Sequence, residues 1–155
     1  MEALVGSGHL KTKNIEDIKS LISPSFALIN PKVVCGELHL KQAAYLADKA
    51  HYEKYNFANN RSTEVLLYLT AQRQISKAID IGGITENQKS IAWVSFSDIP
   101  ENLSDFISSE KLILSHEDYE YSNLNLDEEL VSNLTIDELQ KIVMTRTATL
   151  PVQSH

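Results

Sequence analysis

Gln72-Arg73-Gln74 is the stretch of this chain best equipped for chemistry, and that chemistry is recognition. An arginine guanidinium forks onto a phosphate or lies flat on a base. A glutamine amide both donates and accepts, as reading a base edge or a sugar requires. The three residues stand where the apolar pattern Val65-Leu66-Leu67-Tyr68-Leu69 breaks, before Ile75, Ala78, Ile79 and Ile81 resume it. A break between two short helices leaves the second helix's first amides and these side chains at one corner, a setting that attracts anions. The spacing also fits an Arg73 bonded to a nearby acid, with both glutamines facing water. A second candidate is the face Lys41, Tyr45, Lys49 and Tyr52, spaced four, four and three residues apart. Rings stack bases and ammonium groups meet phosphates, although a solvated lysine face with tyrosines laid over the protein surface has the same pattern.

Groups that react rather than recognise are harder to assemble. The histidines, His9, His39, His51, His116 and His155, include no pair at metal-ligand spacing. Gly6-Ser7-Gly8 is too short for a phosphate loop and lacks the Lys-Ser/Thr that follows one. Cys35, the only cysteine, is followed by Gly36 and His39, but a lone free cysteine packs more often as a small hydrophobe at a strand end. Asp127-Glu128-Glu129 lacks the glycine and spacing of a calcium loop and reads as solvated surface. The chain is therefore expected to be no enzyme and to hold neither cofactor nor metal.

Charge is unevenly placed. Residues 1–97 carry 11 Lys and Arg against 9 Asp and Glu, whereas residues 98–155 carry 3 against 12, for a total of −7. Local field steers a charged ligand more than the total does, so an anion-binding surface belongs in the first two thirds. The acidic remainder reads as a solvated face. At 155 residues, 43% of them hydrophobic, one domain with a real core is expected over 1–155. The longest apolar run, Val65 to Leu69, falls far short of the ~20 residues a membrane span needs, and no secretory signal opens the chain. A cytoplasmic protein without a membrane partner is the expectation.

The elements that position these groups follow from period and punctuation. Asn14 caps a short helix over Ile15 to Ile22, ended by Pro24. Ser25 to Asn30 and Val33 to Gly36 read as strand-like, and Leu38 to Tyr55 as a long helix buried along Leu40, Ala43, Ala44, Ala47 and Ala50. Ser62 is the expected N-cap of the next helix, with Glu64 placed favourably beside its dipole, and Gly82-Gly83 ends the one after. Ser90 to Ser97 is the clearest strand, rich in β-branched and aromatic residues. A short helix over Leu103 to Ser109, a strand at Leu112 to Leu114, an acidic loop over Asp118 to Asn125 and a turn or two of helix near Leu126 to Val131 follow. Thr135 and Glu138 form a capping box opening the last helix. The fold class implied is mixed α/β, one central, largely antiparallel sheet flanked by helices.

Asn60-Arg61-Ser62-Thr63-Glu64-Val65-Leu66-Leu67-Tyr68-Leu69, then Arg73-Gln74-Ile75 with Ala78-Ile79, then Gly83-Ile84, resembles the small non-enzymatic subunit of the KEOPS tRNA-modification complex, the archaeal relative of PRPK-binding protein. Leu28-Ile29-Asn30-Pro31 followed by Val33-Val34 is similar to that family's eukaryotic members, and the likeness spans roughly Phe26 to Phe96 and, more loosely, Thr135 to Thr147. The resemblance implies a mixed α/β subunit that binds the complex's kinase-like subunit and recruits tRNA by its single-stranded CCA end for threonylcarbamoyl-adenosine formation. By position it implies RNA contacts from Arg61, Gln72, Arg73 and Gln74, with Lys77 one turn beyond; Lys41 and Lys49 are added from the lysine–tyrosine face. Thr70-Ala71 stands where archaeal members have a glycine second, and the acidic segment Glu117 to Glu129 is longer than theirs. Two other functions fit parts of the pattern. A winged-helix DNA-binding regulator would use Ser62 to Gly83 as helix-turn-helix, but Asp80 sits badly beside phosphates. A kinase-binding scaffold without RNA contact would suit the acidic total.

Overall fold

The computed structural model describes residues 3–12, 14–108, 119 and 128–152. Among these, a three-stranded sheet is built from β1 (Leu4–His9), β2 (Phe26–Ile29) and β3 (Ser90–Ser95), in the order β1-β3-β2 with both outer strands antiparallel to β3. Around it lie α1 (Ile15–Lys19), α2 (Glu37–Tyr52), α3 (Arg61–Thr70), α4 (Ile75–Gly82), α5 (Leu103–Phe106), α6 (Glu128–Asn133) and α7 (Ile136–Ala148). The expected mixed α/β fold with an antiparallel sheet is what the structure has.

Alternation along the strands divides the core in two. Ala27, Ile29, Ala92 and Val94 face one way and pack with the alanine stripe of α2, with Val65, Leu66 and Leu69 of α3 and with Ala78 of α4. Phe26, Leu28, Ile91 and Trp93 face the other way and pack with Ile15, Ile18, Leu103 and Ile107. Covered on both faces, β2 and β3 read as unbroken apolar runs.

Several local expectations needed correction. Val33 to Gly36 is not a strand: Pro31–Val33 forms a single 3-10 turn capped by the Asn30 side chain, which accepts from the Lys32 amide, and Val33 and Val34 are buried against the helices. Nor did local pattern reveal β1. Its Gly6 lies opposite Trp93, where a Cβ would collide with the indole, so this glycine is required by a cross-strand ring. The helix over Ile15 stops at Lys19, α2 runs Glu37–Tyr52 instead of to Tyr55, and α5 ends at Phe106. Asn60, not Ser62, is the N-cap of α3; its Oδ1 accepts from the Thr63 amide and from the Ser62 hydroxyl. The capping box of Thr135 and Glu138 is present, and those hydrogen bonds hold the Glu138 carboxyl below its ordinary range. The expected strand at Leu112 to Leu114 and the acidic loop, Tyr119 apart, lie outside the described residues. No helix among the described residues is long and apolar enough to cross a membrane.

Candidate functional site

The α3–α4 junction is a Schellman turn. Gln72 N–H donates to the Leu67 carbonyl at 3.0 Å and Ala71 N–H to that of Tyr68 at 3.3 Å, closing the end of α3. Ala71 takes the left-handed conformation this requires, at φ 52° and ψ 41°. Ala71→Gly is expected to raise stability by about 1 kcal/mol, because glycine adopts this region without a Cβ penalty. Urea unfolding would register it as a higher midpoint at unchanged slope.

Gln74 then caps α4 by its backbone alone, with no side-chain bond to the first amides of the helix. Gln74 and Lys77 are exposed, and Gln72 and Arg73 are half-buried. Arg73 is also a tie between three parts of the fold. Its Nε and Nη2 donate to the Leu150 carbonyl at 3.1 and 2.9 Å, and its guanidinium carbon lies 5.3 Å from the centroid of the Phe57 ring. The partner foreseen for a purely structural Arg73 was an acid; those described here are a carbonyl and an aromatic face. The guanidinium plane is held in one orientation by this tie.

Phe57 is not singled out by the sequence, and Glu64 is marked there as a partner for the helix dipole and as part of the motif that carries the resemblance. The structure buries Glu64 completely. Its carboxylate accepts from the Phe57 N–H at 3.0 and 3.1 Å and from the Ala58 N–H at 2.6 Å, with His51 Nε2 3.6 Å away. The aromatic pair Tyr55 and Phe57, just before the Asn59-Asn60 turn, was the signal available for this shelf.

The seven residues singled out do not share one surface. Gln72, Arg73, Gln74 and Lys77 gather at the junction. Arg61 lies at the far end of α3, roughly 15 Å away along the helix, and its Nε bonds Asp48 Oδ1 at 2.8 Å to join α3 to α2. Lys41 and Lys49 are exposed on α2 together with Tyr45 and Tyr52, as the spacing required. Lys41 faces Glu37 at 3.6 Å, and Glu37 and Asp48 line the same groove as Lys41 and Tyr45, which dilutes the positive field there.

Cys35 and His39 are joined, though not as nucleophile and base. His39 Nδ1 accepts from the Cys35 backbone N–H at 3.0 Å, so its Nε2 carries the proton toward Thr147 Oγ1 at 2.9 Å, and Thr147 donates onward to the Tyr68 carbonyl. This buried chain fastens α2, α3 and α7. Cys35 sits in the connection before α2 and not at a strand end; burial pushes its thiol up to about 11, far from a reactive thiolate. Burial, and then the charges of Glu64 and Tyr55, raise the Tyr68 phenol. Among the described residues no three of His, Cys, Asp and Glu are grouped to hold a metal ion.

Burial also pulls His39 from 6.5 down to about 4. The unfolded chain therefore binds a proton at a pH where the folded chain does not, and stability falls as pH drops through that window. Chemical denaturation at pH 7 and pH 5 should differ by about 2 kcal/mol on account of this group. His39→Gln, which keeps a donor toward Thr147 without titrating, should flatten that difference.

The fold and the site define a mixed α/β protein whose most chemically able side chains hold helices together and present a polar corner. Residues 9–148 match the family model for kinase binding protein CGI-121, and the chain belongs to that family. A search of curated proteins found no match. The family is described by what it binds, a kinase, and not by a reaction.

Proposed function

We propose that this chain is a non-catalytic, single-domain cytoplasmic subunit of a KEOPS-type complex. It binds the kinase-like subunit and recruits tRNA by its single-stranded CCA end for threonylcarbamoyl-adenosine formation. The observation that carries this reading is the position of the Arg73-Gln74-Ile75 segment in a member of the kinase-binding family: it opens α4 at a junction where a fixed guanidinium, two amides and Lys77 meet. Gln72 and Gln74 read the base or sugar edges, Arg73 takes a phosphate or a base face, and Lys77 adds a phosphate contact a turn beyond. Arg61, Lys41 and Lys49 stand apart and contribute attraction at a distance. The DNA-regulator alternative has only the eight-residue α4 to offer as a recognition helix, with Asp80 on it.

The test is a gel-shift titration with intact tRNA and the same tRNA trimmed of its CCA end, at two salt concentrations, with duplex DNA as competitor. Binding to intact tRNA alone, weakened by salt, is the expected result. Binding to neither RNA would leave a kinase scaffold, a reading favoured by the structural tie of Arg73. Preference for the duplex would overturn both.

A further inference from the structure

We propose that Phe57 is a stacking platform for an unpaired nucleobase and that Glu64 is the residue that positions it, an inference that deepens the tRNA-recruiting reading and rests on it. Phe57 leaves 37% of its surface exposed, and Tyr55, two residues before it, 40%. Exposed rings in a loop usually rotate freely, but the backbone beneath this one is held. Both Glu64 carboxylate oxygens grip the Phe57 N–H, one of them also grips Ala58 N–H, and the Asn56 side-chain amide donates to the Ala58 carbonyl at 2.7 Å. A carboxylate drawn fully into the interior carries a desolvation cost. That cost is offset by fixing the two amides that aim the ring.

Arg73 lies over the same ring and is itself held by the Leu150 carbonyl, so ring and cation form one rigid unit beside Gln72 and Gln74. A held ring next to a held cation is suited to single-stranded nucleic acid: every base has a π-face to stack, and the phosphate on the 5′ side of a terminal base meets a positive charge. The ligand class is therefore an unpaired base at the end of an RNA strand. A duplex, whose bases are already stacked, is excluded.

The experiment uses the full chain and tRNA carrying 2-aminopurine in place of the terminal adenine, whose fluorescence is quenched on stacking. Wild type is expected to quench the probe. Phe57→Leu should lose the quench and weaken binding roughly tenfold, the worth of one base–aromatic stack, while Phe57→Trp restores both. Glu64→Gln, which keeps an acceptor for the two amides, should retain most of the quench, and Glu64→Ala should lose it at a temperature where both remain folded. Phe57→Leu binding within twofold of wild type, with the quench intact, would overturn the platform and leave tRNA recruitment standing. Failure of wild type to bind the probe tRNA would overturn recruitment and the platform with it. Loss of kinase binding along with tRNA binding in both Phe57 variants would show a ring needed for folding, and would also overturn it.

Discussion

Glu64→Ala should lower the unfolding free energy by roughly 3 kcal/mol, the largest stability effect expected from a single polar side chain in this fold. The carboxylate is fully buried, and two backbone amides, one of them buried, depend on it. Removing an acceptor from a buried donor costs ~1–3 kcal/mol for each group stranded, and the truncated side chain leaves a void between α3 and the loop before it. Relief of the buried charge offsets part of this. Against a total of ~5–15 kcal/mol the loss is large, equal to a fall in Tm of about 10 °C for a chain of this size. Glu64→Gln should lose less than half as much, since its Oε1 still accepts from Ala58. Equal losses for the two variants would mean that the ionised group and His51, 3.6 Å from it, matter more than the amides.

Arg73→Glu should abolish detectable tRNA binding, a loss of at least ~100-fold, and leave the kinase complex intact. The substitution removes the guanidinium and sets a negative charge where a phosphate would sit. It also has a structural consequence, because a carboxylate facing the Leu150 carbonyl repels what the guanidinium held at 2.9 Å. A stability loss of about 2–3 kcal/mol is therefore expected alongside, from the broken charge-assisted bonds. Kinase pull-down and thermal unfolding on the same preparation separate the two effects. Arg73→Lys keeps the charge without the planar fork and should keep some salt-dependent tRNA affinity while losing part of the Leu150 tie. Loss of both kinase and tRNA binding in Arg73→Glu would point to an unfolded C-terminal turn and not to a lost contact.

Elements written in neighbouring residues were legible before the chain folded. The alanine stripe of α2, the capping box of α7, the apolar run of β3 and the break between α3 and α4 each follow from a period or a cap within a few positions, and each is found where it was expected. The segment that opens α4, and with it the family, was also legible, because a helix stop followed by polar residues and a restart is a local pattern. The tertiary structure alone decided everything that depends on a distant partner. β1 is a strand because Gly6 admits the indole of Trp93, 87 positions on, and nothing near Gly6-Ser7-Gly8 records that. Val33-Val34, apolar enough for a strand, turned instead with Asn30 and packed on the helices. Glu64 lies in a first helical turn, where an exposed acid would be unremarkable; only the loop folding back over it made it a buried anchor. Arg73 and Phe57 meet for the same reason, and the Leu150 carbonyl that orients the arginine lies 77 residues away. Caps and periods act over one or two turns of chain, so a sequence displays them openly. Burial and orientation of a charge depend on which surfaces close over it, and those surfaces exist only once the chain has folded.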